Sequence, residues 1–248
     1  MRIGPHCQID ISPESSCQAL NAHTDMYDVE QVLVTHTHAD HFNLPALLEK
    51  NDATRTNAKP LAIALSASAQ EYIEGTIAHL ALSSGNTSRI KKLIELQPLD
   101  YFKEYEIGGF SVRTVKANHT AHGVDEYAIN YLINLHNGRL LLYACDTGYY
   151  SEETWEYLKG SRVDTLILEC TYAGRTDQAE FPRDHLDLLS YAKMLKRMSD
   201  IGFIDDRSTV YATHINPHQG LYHNQIQDRL TQLHPHAVAA YDGLRGEV

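Results

Sequence analysis

Val32-Leu33-Val34-Thr35-His36-Thr37-His38-Ala39-Asp40-His41 is a β-branched apolar run that ends in three histidines and an aspartate within six residues. Residues 31–35 read as a short buried strand, since they are Val/Leu-rich and lie between acidic polar sequence and a dense polar cluster. If the extended backbone persists to His38, then His36 and His38 point to one side, because side chains alternate across a strand with period two. Two imidazoles then converge on one point. Asp40 and His41 follow after a single spacer, where the backbone must turn into the next helix, so their side chains aim at a second point nearby. Imidazole and carboxylate are the standard ligands of zinc and similar divalent ions, and this arrangement suits two metal ions rather than one. A polar strand end that merely carries solvated histidines is the bland alternative, and the tight spacing weighs against it.

Outward from that stretch, 248 residues with 43% hydrophobic composition can bury an ordinary core. The whole of 1–248 is read as a single domain, without internal repeats, low-complexity segments or a linker. No run approaches the apolar length needed to span a bilayer, and no signal peptide is visible at the start. The four cysteines, Cys7, Cys17, Cys145 and Cys170, show no CxxC spacing. They read as reduced, mostly buried thiols, and the expected location is cytoplasmic. The formal charge of −11, from 21 basic and 32 acidic residues, leaves no basic face beyond a small cluster at 89–92. Long nucleic acid is therefore disfavoured as a partner, unless bound metals create a local positive site.

The pattern predicts a strand at 7–11, then a helix beginning at Ser12-Pro13-Glu14 and reaching about residue 21. Another helix starts at Asn43 or Leu44. A strand at 61–65 precedes a helix over 66–82 with Ile73, Ile77 and Leu80 on its apolar face, and 85–92 reads as a loop or short helix. Strands are expected at 93–97, 109–116, 127–135 and 139–144, forming a meander with Asn137-Gly138 as a hairpin turn. Then come a helix at 152–158, a strand at 165–168, a helix from Asp184 to about 198, a strand at 209–213, a helix at 219–233 and a strand at 237–241. This is an α/β (α+β) chain of two sheets packed face to face and covered by helices.

Loops along one edge of such a sandwich carry function. The runs 112–116, 140–144 and 209–212 each finish close to a coordinating side chain, namely His119, Asp146 and His214. Singly, each is an ordinary polar loop residue; as an ordered set behind the first cluster, they complete a ligand shell. The HxHxDH stretch resembles the signature of the metallo-β-lactamase superfamily. Leu140 to Thr147, Val163 to Thr171, Arg183-Asp184-His185-Leu186, Ala212-Thr213-His214-Ile215 and Tyr241-Asp242-Gly243 resemble, in order, the PhnP-type phosphodiesterases and, more distantly, the tRNase Z enzymes. The resemblance runs from about residue 9 to 243 and implies an αββα sandwich. It assigns His36, His38 and His119 to one metal, Asp40, His41 and His214 to a second, and Asp146 as a bridge. The implied cofactors are two zinc or manganese ions. Relatives normally carry an extra N-terminal hairpin, with a structural zinc site in the PhnP type. This chain starts almost at the strand 7–11, so that hairpin is expected to be missing or replaced.

The implied activity is hydrolysis of a small, often cyclic, phosphodiester by a hydroxide held between the metals, which paired cations make available at neutral pH. Asp40 orients the nucleophile while holding its metal, and His185, placed at a helix start, assists the leaving group. Merely hydrogen-bonding backbone is the ordinary role for a helix-start histidine. Glu169 buttresses His185 or a ligand, or is a plain surface acid; His122 is a weaker candidate for the pocket lining than for an ordinary loop residue, and Tyr172 is placed where it could touch substrate. His218, His223, His234 and His236 read as mostly solvated. The competing classes are a carbonyl hydrolase acting on a lactone, thioester or β-lactam with the same metal pair, and an RNA-processing or nonenzymatic relative. Relatives of the resembled type are often homodimers, although no interface patch can be read from the residues.

Overall fold

The computed structural model describes residues 1–246 except 25, 27, 53–59, 85–91, 122–124 and 176. Among the described residues are twelve strands and six α-helices, divided between two compact units. The first unit comprises Met1–Tyr101, Ile107–Gly109 and Thr120–Ile129; the second comprises Phe102–Glu106, Phe110–His119 and Asn130–Val248.

The first unit holds a five-stranded sheet in chain order: β1 (Arg2–Ile3), β2 (Cys7–Ile9), β3 (Gln31–Leu33), β4 (Leu61–Ser66) and β5 (Ile94–Leu99). β1 pairs antiparallel with β2, and the remaining neighbours are parallel, with Ile9 opposite Leu33 and Leu33 opposite Ala64. Parallel neighbours need long crossovers, and the helices supply them: α1 (Ser15–Asn21), α2 (Leu44–Asp52) and α3 (Gln70–Ser84) lie between successive strands from β2 to β5. Every residue of β3 is buried, as expected of a parallel strand covered on both faces. Ile11, Val32, Val34, Leu47, Ile63, Leu65, Ile73 and Ile77 form the core here. Each fully buried aliphatic side chain contributes about 1.5–3 kcal/mol.

The second unit is built on a seven-stranded sheet of order β12-β11-β10-β9-β8-β7-β6. These strands are β6 (Glu104–Ile107), β7 (Phe110–Thr120), β8 (Tyr127–Asn134), β9 (Leu140–Ala144), β10 (Thr165–Glu169), β11 (Thr209–Thr213) and β12 (Ala237–Ala239). β7 to β9 are three of the four strands expected in the meander, and β6 takes the place of the expected first one, because residues 94–99 pair with β4 in the other sheet; from β9 onward the strands run parallel. The crossovers are α4 (Glu152–Leu158), α5 (Leu188–Asp200) and α6 (His223–Thr231). Trp155, Tyr191, Met194 and Met198 pack with Leu142, Leu166, Leu168 and Val210 in its core.

Several boundaries differ from expectation for local reasons. Two residues, Arg2–Ile3, suffice to pair with β2, so a minimal N-terminal hairpin precedes the strand expected to come first. α1 begins at Ser15 rather than Ser12, because the Ser15 hydroxyl accepts from the Ser12 amide and Ser12–Glu14 remain a turn. A 3-10 turn at Ala67–Ala69 precedes α3. The helix expected from Asp184 starts at Leu188, where Asp187 and Ser190 make a reciprocal capping box. β6 has no counterpart in the sequence reading, and the 85–92 segment lies almost wholly outside the described residues.

Candidate metal centre

In the first unit, the backbone pairing of β3 reaches Val34, whose amide donates to the Ala64 carbonyl at 2.8 Å, and the amide after that meets a carboxylate. The Thr35 amide donates to Asp10 Oδ1 at 2.8 Å, and the Thr35 hydroxyl lies 3.0 and 2.9 Å from the two Asp10 oxygens. Asp10 follows β2 with φ +58°, a left-handed conformation uncommon outside glycine. The backbone therefore bends at Thr35, three residues short of His38, and the imidazoles converge all the same. His36 Nε2 stands 2.8 Å from His38 Nδ1. His36 Nδ1 is 3.1 Å from the Thr35 hydroxyl, and His41 Nδ1 is 2.8 Å from Asp10 Oδ2.

These partners fix the tautomers. With the Thr35 proton given to Asp10, its oxygen accepts from His36 Nδ1–H, while His41 Nδ1–H donates to Asp10. Both rings then present an Nε2 lone pair, and His41 Nε2 faces Asp40 Oδ2 at 3.5 Å. Glu126, fully buried, grips the intervening Thr37: its Oε2 accepts from the Thr37 hydroxyl at 2.5 Å and the amide at 3.3 Å. Burial pushes the Glu126 carboxyl up to about 7, against the lowering effect of those two donors.

In the second unit, Asp146 follows β9 with φ +53° and points its two oxygens at two histidines. Oδ1 lies 3.2 Å from His214 Nε2, and Oδ2 lies 3.8 Å from His119 Nε2. Each ring is oriented from behind. His119 Nδ1 is 2.9 Å from the Asp184 carbonyl, and His214 Nδ1 is 2.9 Å from the Thr171 hydroxyl, which donates to Glu169 Oε2 at 2.8 Å. Burial draws the His119 pKa below its ordinary value, only partly opposed by the nearby Asp146 charge. Imidazole lone pairs facing a carboxylate repel unless a cation lies among them. The donor set of buried imidazoles with second nitrogens anchored, around a carboxylate, fits divalent metal.

His185 sits beside this group. Its ring stacks on His214 with centroids 5.7 Å apart, lies 4.9 Å from the His119 ring and meets Tyr172 edge-on at 5.4 Å. Nδ1 is 3.3 Å from the Thr171 hydroxyl and 3.7 Å from Glu169 Oε1. Burial is the largest single influence on the His185 pKa and would lower it, but Glu169, Asp146 and Asp184 together outweigh it and the net shift is upward. Glu169 is itself buried and accepts from the amides of Leu186, Thr171 and Gly148. Gly148, at φ +56°, lets this happen: a Cβ there would lie 2.8 Å from the Asp184 amide nitrogen and 2.9 Å from the Pro182 carbonyl oxygen.

Each unit thus gathers its own share of the expected residues: His36, His38, Asp40 and His41 in the first, His119, Asp146, His185 and His214 in the second. His119 lies within β7 rather than beyond a strand end, and His185 lies in the loop before α5 rather than at a helix start. His234 is buried, with Nε2 3.1 Å from the Asp205 carbonyl, whereas His218, His223 and His236 are exposed as expected. His122 lies outside the described residues. The sequence reading missed Asp10, Thr35, Thr171 and Glu126. Asp10 carried a usable signal, an acid closing a short apolar strand, as Asp146 does; the burial of Glu126 left no trace in the pattern around it.

A family model for the beta-lactamase superfamily domain matches residues 9–215. Among solved structures, the metallo-beta-lactamase fold protein YhfI from Bacillus subtilis is similar at 15% identity and TM-score 0.72, covering 98% of this chain and 88% of that one. The short form of human tRNase Z is similar at 14% identity and TM-score 0.64, covering 98% and 89%. Unliganded yeast PDE1 is similar at 15% identity and TM-score 0.67, covering 88% and 68%. No curated protein matches the chain in sequence. No helix among the described residues is long and apolar enough to cross a membrane. The two sheets, their six helices and the match over most of the length place this chain in the beta-lactamase superfamily, with the metallo-beta-lactamase fold and the metal-dependent hydrolase chemistry general to it.

Proposed function

We propose that the two groups of side chains form one centre for two divalent ions, zinc or manganese, and that the protein is a PhnP-like phosphodiesterase acting on a small, often cyclic, phosphodiester. In this reading His36, His38 and His119 hold one ion, Asp40, His41 and His214 hold the other, and Asp146 spans both. The observation that carries it is the Asp146 carboxylate, whose separate oxygens face separate Nε2 atoms. When bound, such a pair of ions activates water near neutral pH and offsets charge on the phosphoryl oxygens.

The chain's own groups do the rest. Asp40, with its side chain 63% exposed, orients the attacking water. His185 donates a proton through Nε2 to the departing alkoxide, while Glu169 and Thr171 hold its Nδ1 side. The resemblance of residues 140–147, 163–171 and 183–186 to the PhnP-type phosphodiesterases supports the phosphodiester over a carbonyl substrate. The acidic balance of the chain favours a small substrate over RNA. None of the four cysteines is in a disulfide, which supports a cytoplasmic setting, and the likeness to PhnP-type proteins supports a homodimer.

The test is a screen of purified protein against bis(p-nitrophenyl) phosphate, cyclic nucleotides, ribose cyclic phosphates and lactones, with added manganese or zinc and metal counted on the same sample. Turnover of phosphodiesters with two ions per chain is expected. Turnover of lactones alone would transfer the assignment to the carbonyl class.

A further inference from the structure

We propose that Cys145 is itself a metal ligand, coordinating as a thiolate the ion held by Asp146 and His214. This rests on the metal-binding reading above and extends it to the identity of the ion.

Cys145 is buried at the end of β9, one residue before Asp146. Its Sγ lies 3.5 Å from Asp146 Oδ1, the oxygen that faces His214 Nε2 at 3.2 Å. The donor atoms of Cys145, Asp146 and His214 all lie within 4.8 Å of one another. Donors about 2.0–2.3 Å from a tetrahedral zinc stand roughly 3.3–3.7 Å apart, so small shifts bring all three into one shell. The backbone that carries the sulfur is fixed: the Cys145 carbonyl accepts from Asn130 Nδ2 at 3.1 Å, and Asn130 Oδ1 accepts from the buried Tyr150 hydroxyl at 2.6 Å. The other thiols lack this company. Cys17 is exposed, and burial pushes the Cys7 thiol up to about 11.

Ligation forms a sulfur–metal bond, the thiol proton leaves to solvent, and no electrons are transferred. An oxygen, nitrogen and sulfur set selects thiophilic ions, so this position takes zinc, cobalt or cadmium in preference to manganese. The plainer role is a thiol donating a hydrogen bond to Asp146, which a serine hydroxyl would preserve.

Metal-free protein is titrated with cobalt(II) alone and with cadmium(II) alone. The expected result is two ions per chain, a thiolate-to-metal charge-transfer band that saturates with one of them, and two cadmium-113 signals, one of them displaced by sulfur. Cys145→Ser should retain both ions, lose the band and the displaced signal, and lower the preference for zinc over manganese by about 10–100-fold. Cys17→Ser and Cys170→Ala should keep the band. Two bound ions with no band in the natural protein, or a band that survives Cys145→Ser, would remove the thiolate and leave the dinuclear reading standing. Failure to take up either ion overturns both. Should Cys145→Ser not fold, the natural protein and Cys170→Ala still decide through the cadmium spectrum.

Discussion

The two units reach the same kind of geometry by opposite routes. In the first, four candidate side chains lie between His36 and His41 and their support comes from afar, from Asp10 and Glu126. In the second, His119, Asp146 and His214 are themselves dispersed, in or just past three different strands, and the groups behind two of them, Asp184 and Thr171, lie 65 and 43 positions away. The backbone records the difference. Six non-glycine residues have positive φ among those described, and four of them, Asp10, Asp146, Asp184 and His214, belong to these groups. In the first unit the strained residue is the supporting one, whereas in the second two of the ligands, Asp146 and His214, are strained along with the supporting Asp184. A contiguous motif needs an outside carboxylate to bend it. Asp146 and His214 each leave the pleat through a local kink, at about 1–3 kcal/mol apiece, held by the surrounding packing, whereas His119 stays within β7.

The largest effect follows from the one carboxylate that serves two histidines. Asp146→Ala should empty both metal positions, while His38→Ala should empty one. Metal analysis after exhaustive dialysis makes the comparison, and an Asp146→Ala protein that keeps one ion would show that the carboxylate is not shared. Activity should fall further than the roughly 10–100-fold that loss of an outer partner costs.

Next in size is His185→Ala, which has no equivalent in the first unit. Rates on phosphodiesters with alkoxide leaving groups should fall about 10²–10⁴-fold, with little change on p-nitrophenyl esters, whose leaving group needs no proton. Equal loss on both would place His185 in binding rather than in proton donation.

The same asymmetry explains what could be read from the residues. His36 to His41 stood out because the ligands are neighbours in sequence. β7 to β9, and the strands that lead to His214 and Asp146, were legible from apolar runs closed by turn residues; that residues 94–99 join the other sheet was not, because an apolar run does not specify its neighbour. His185 was found through resemblance but set on a helix, because the Asp187–Ser190 capping box that starts α5 three residues later was overlooked. Asp10, Thr171 and Glu126 were missed because their work is done across 25, 43 and 89 positions of chain, and no local pattern encodes a hydrogen bond of that separation.

Those outer partners allow a graded test. Asp10 meets Thr35 through its amide and hydroxyl and also His41, so Asp10→Asn should weaken metal binding toward the upper end of 10–100-fold. Thr171→Val removes one contact to His214 and should fall toward the lower end. Competition with a chelator measures both, and the reverse order would mean that the contiguous motif holds its own shape.

The smallest effect concerns Glu126, and it is read from stability. Its carboxyl is raised from an ordinary 4.5 to about 7, chiefly because burial penalises the charged form. The folded protein therefore binds more protons at this position than the unfolded chain between those two values. The corresponding stability is complete below about pH 4.5 and is lost as pH rises through 7. A shift of this size corresponds to at most about 3 kcal/mol. Glu126→Gln keeps an acceptor for Thr37 and cannot titrate. With metal removed from both proteins, every other group cancels in the difference between their unfolding free energies. That difference should move against the natural protein from pH 5 to pH 8 and then level off. A constant difference would mean that Glu126 stays ionised throughout, its charge met by the Thr37 amide and hydroxyl, and that the bend carrying His36 and His38 is held by a carboxylate just as the bend at Thr35 is held by Asp10.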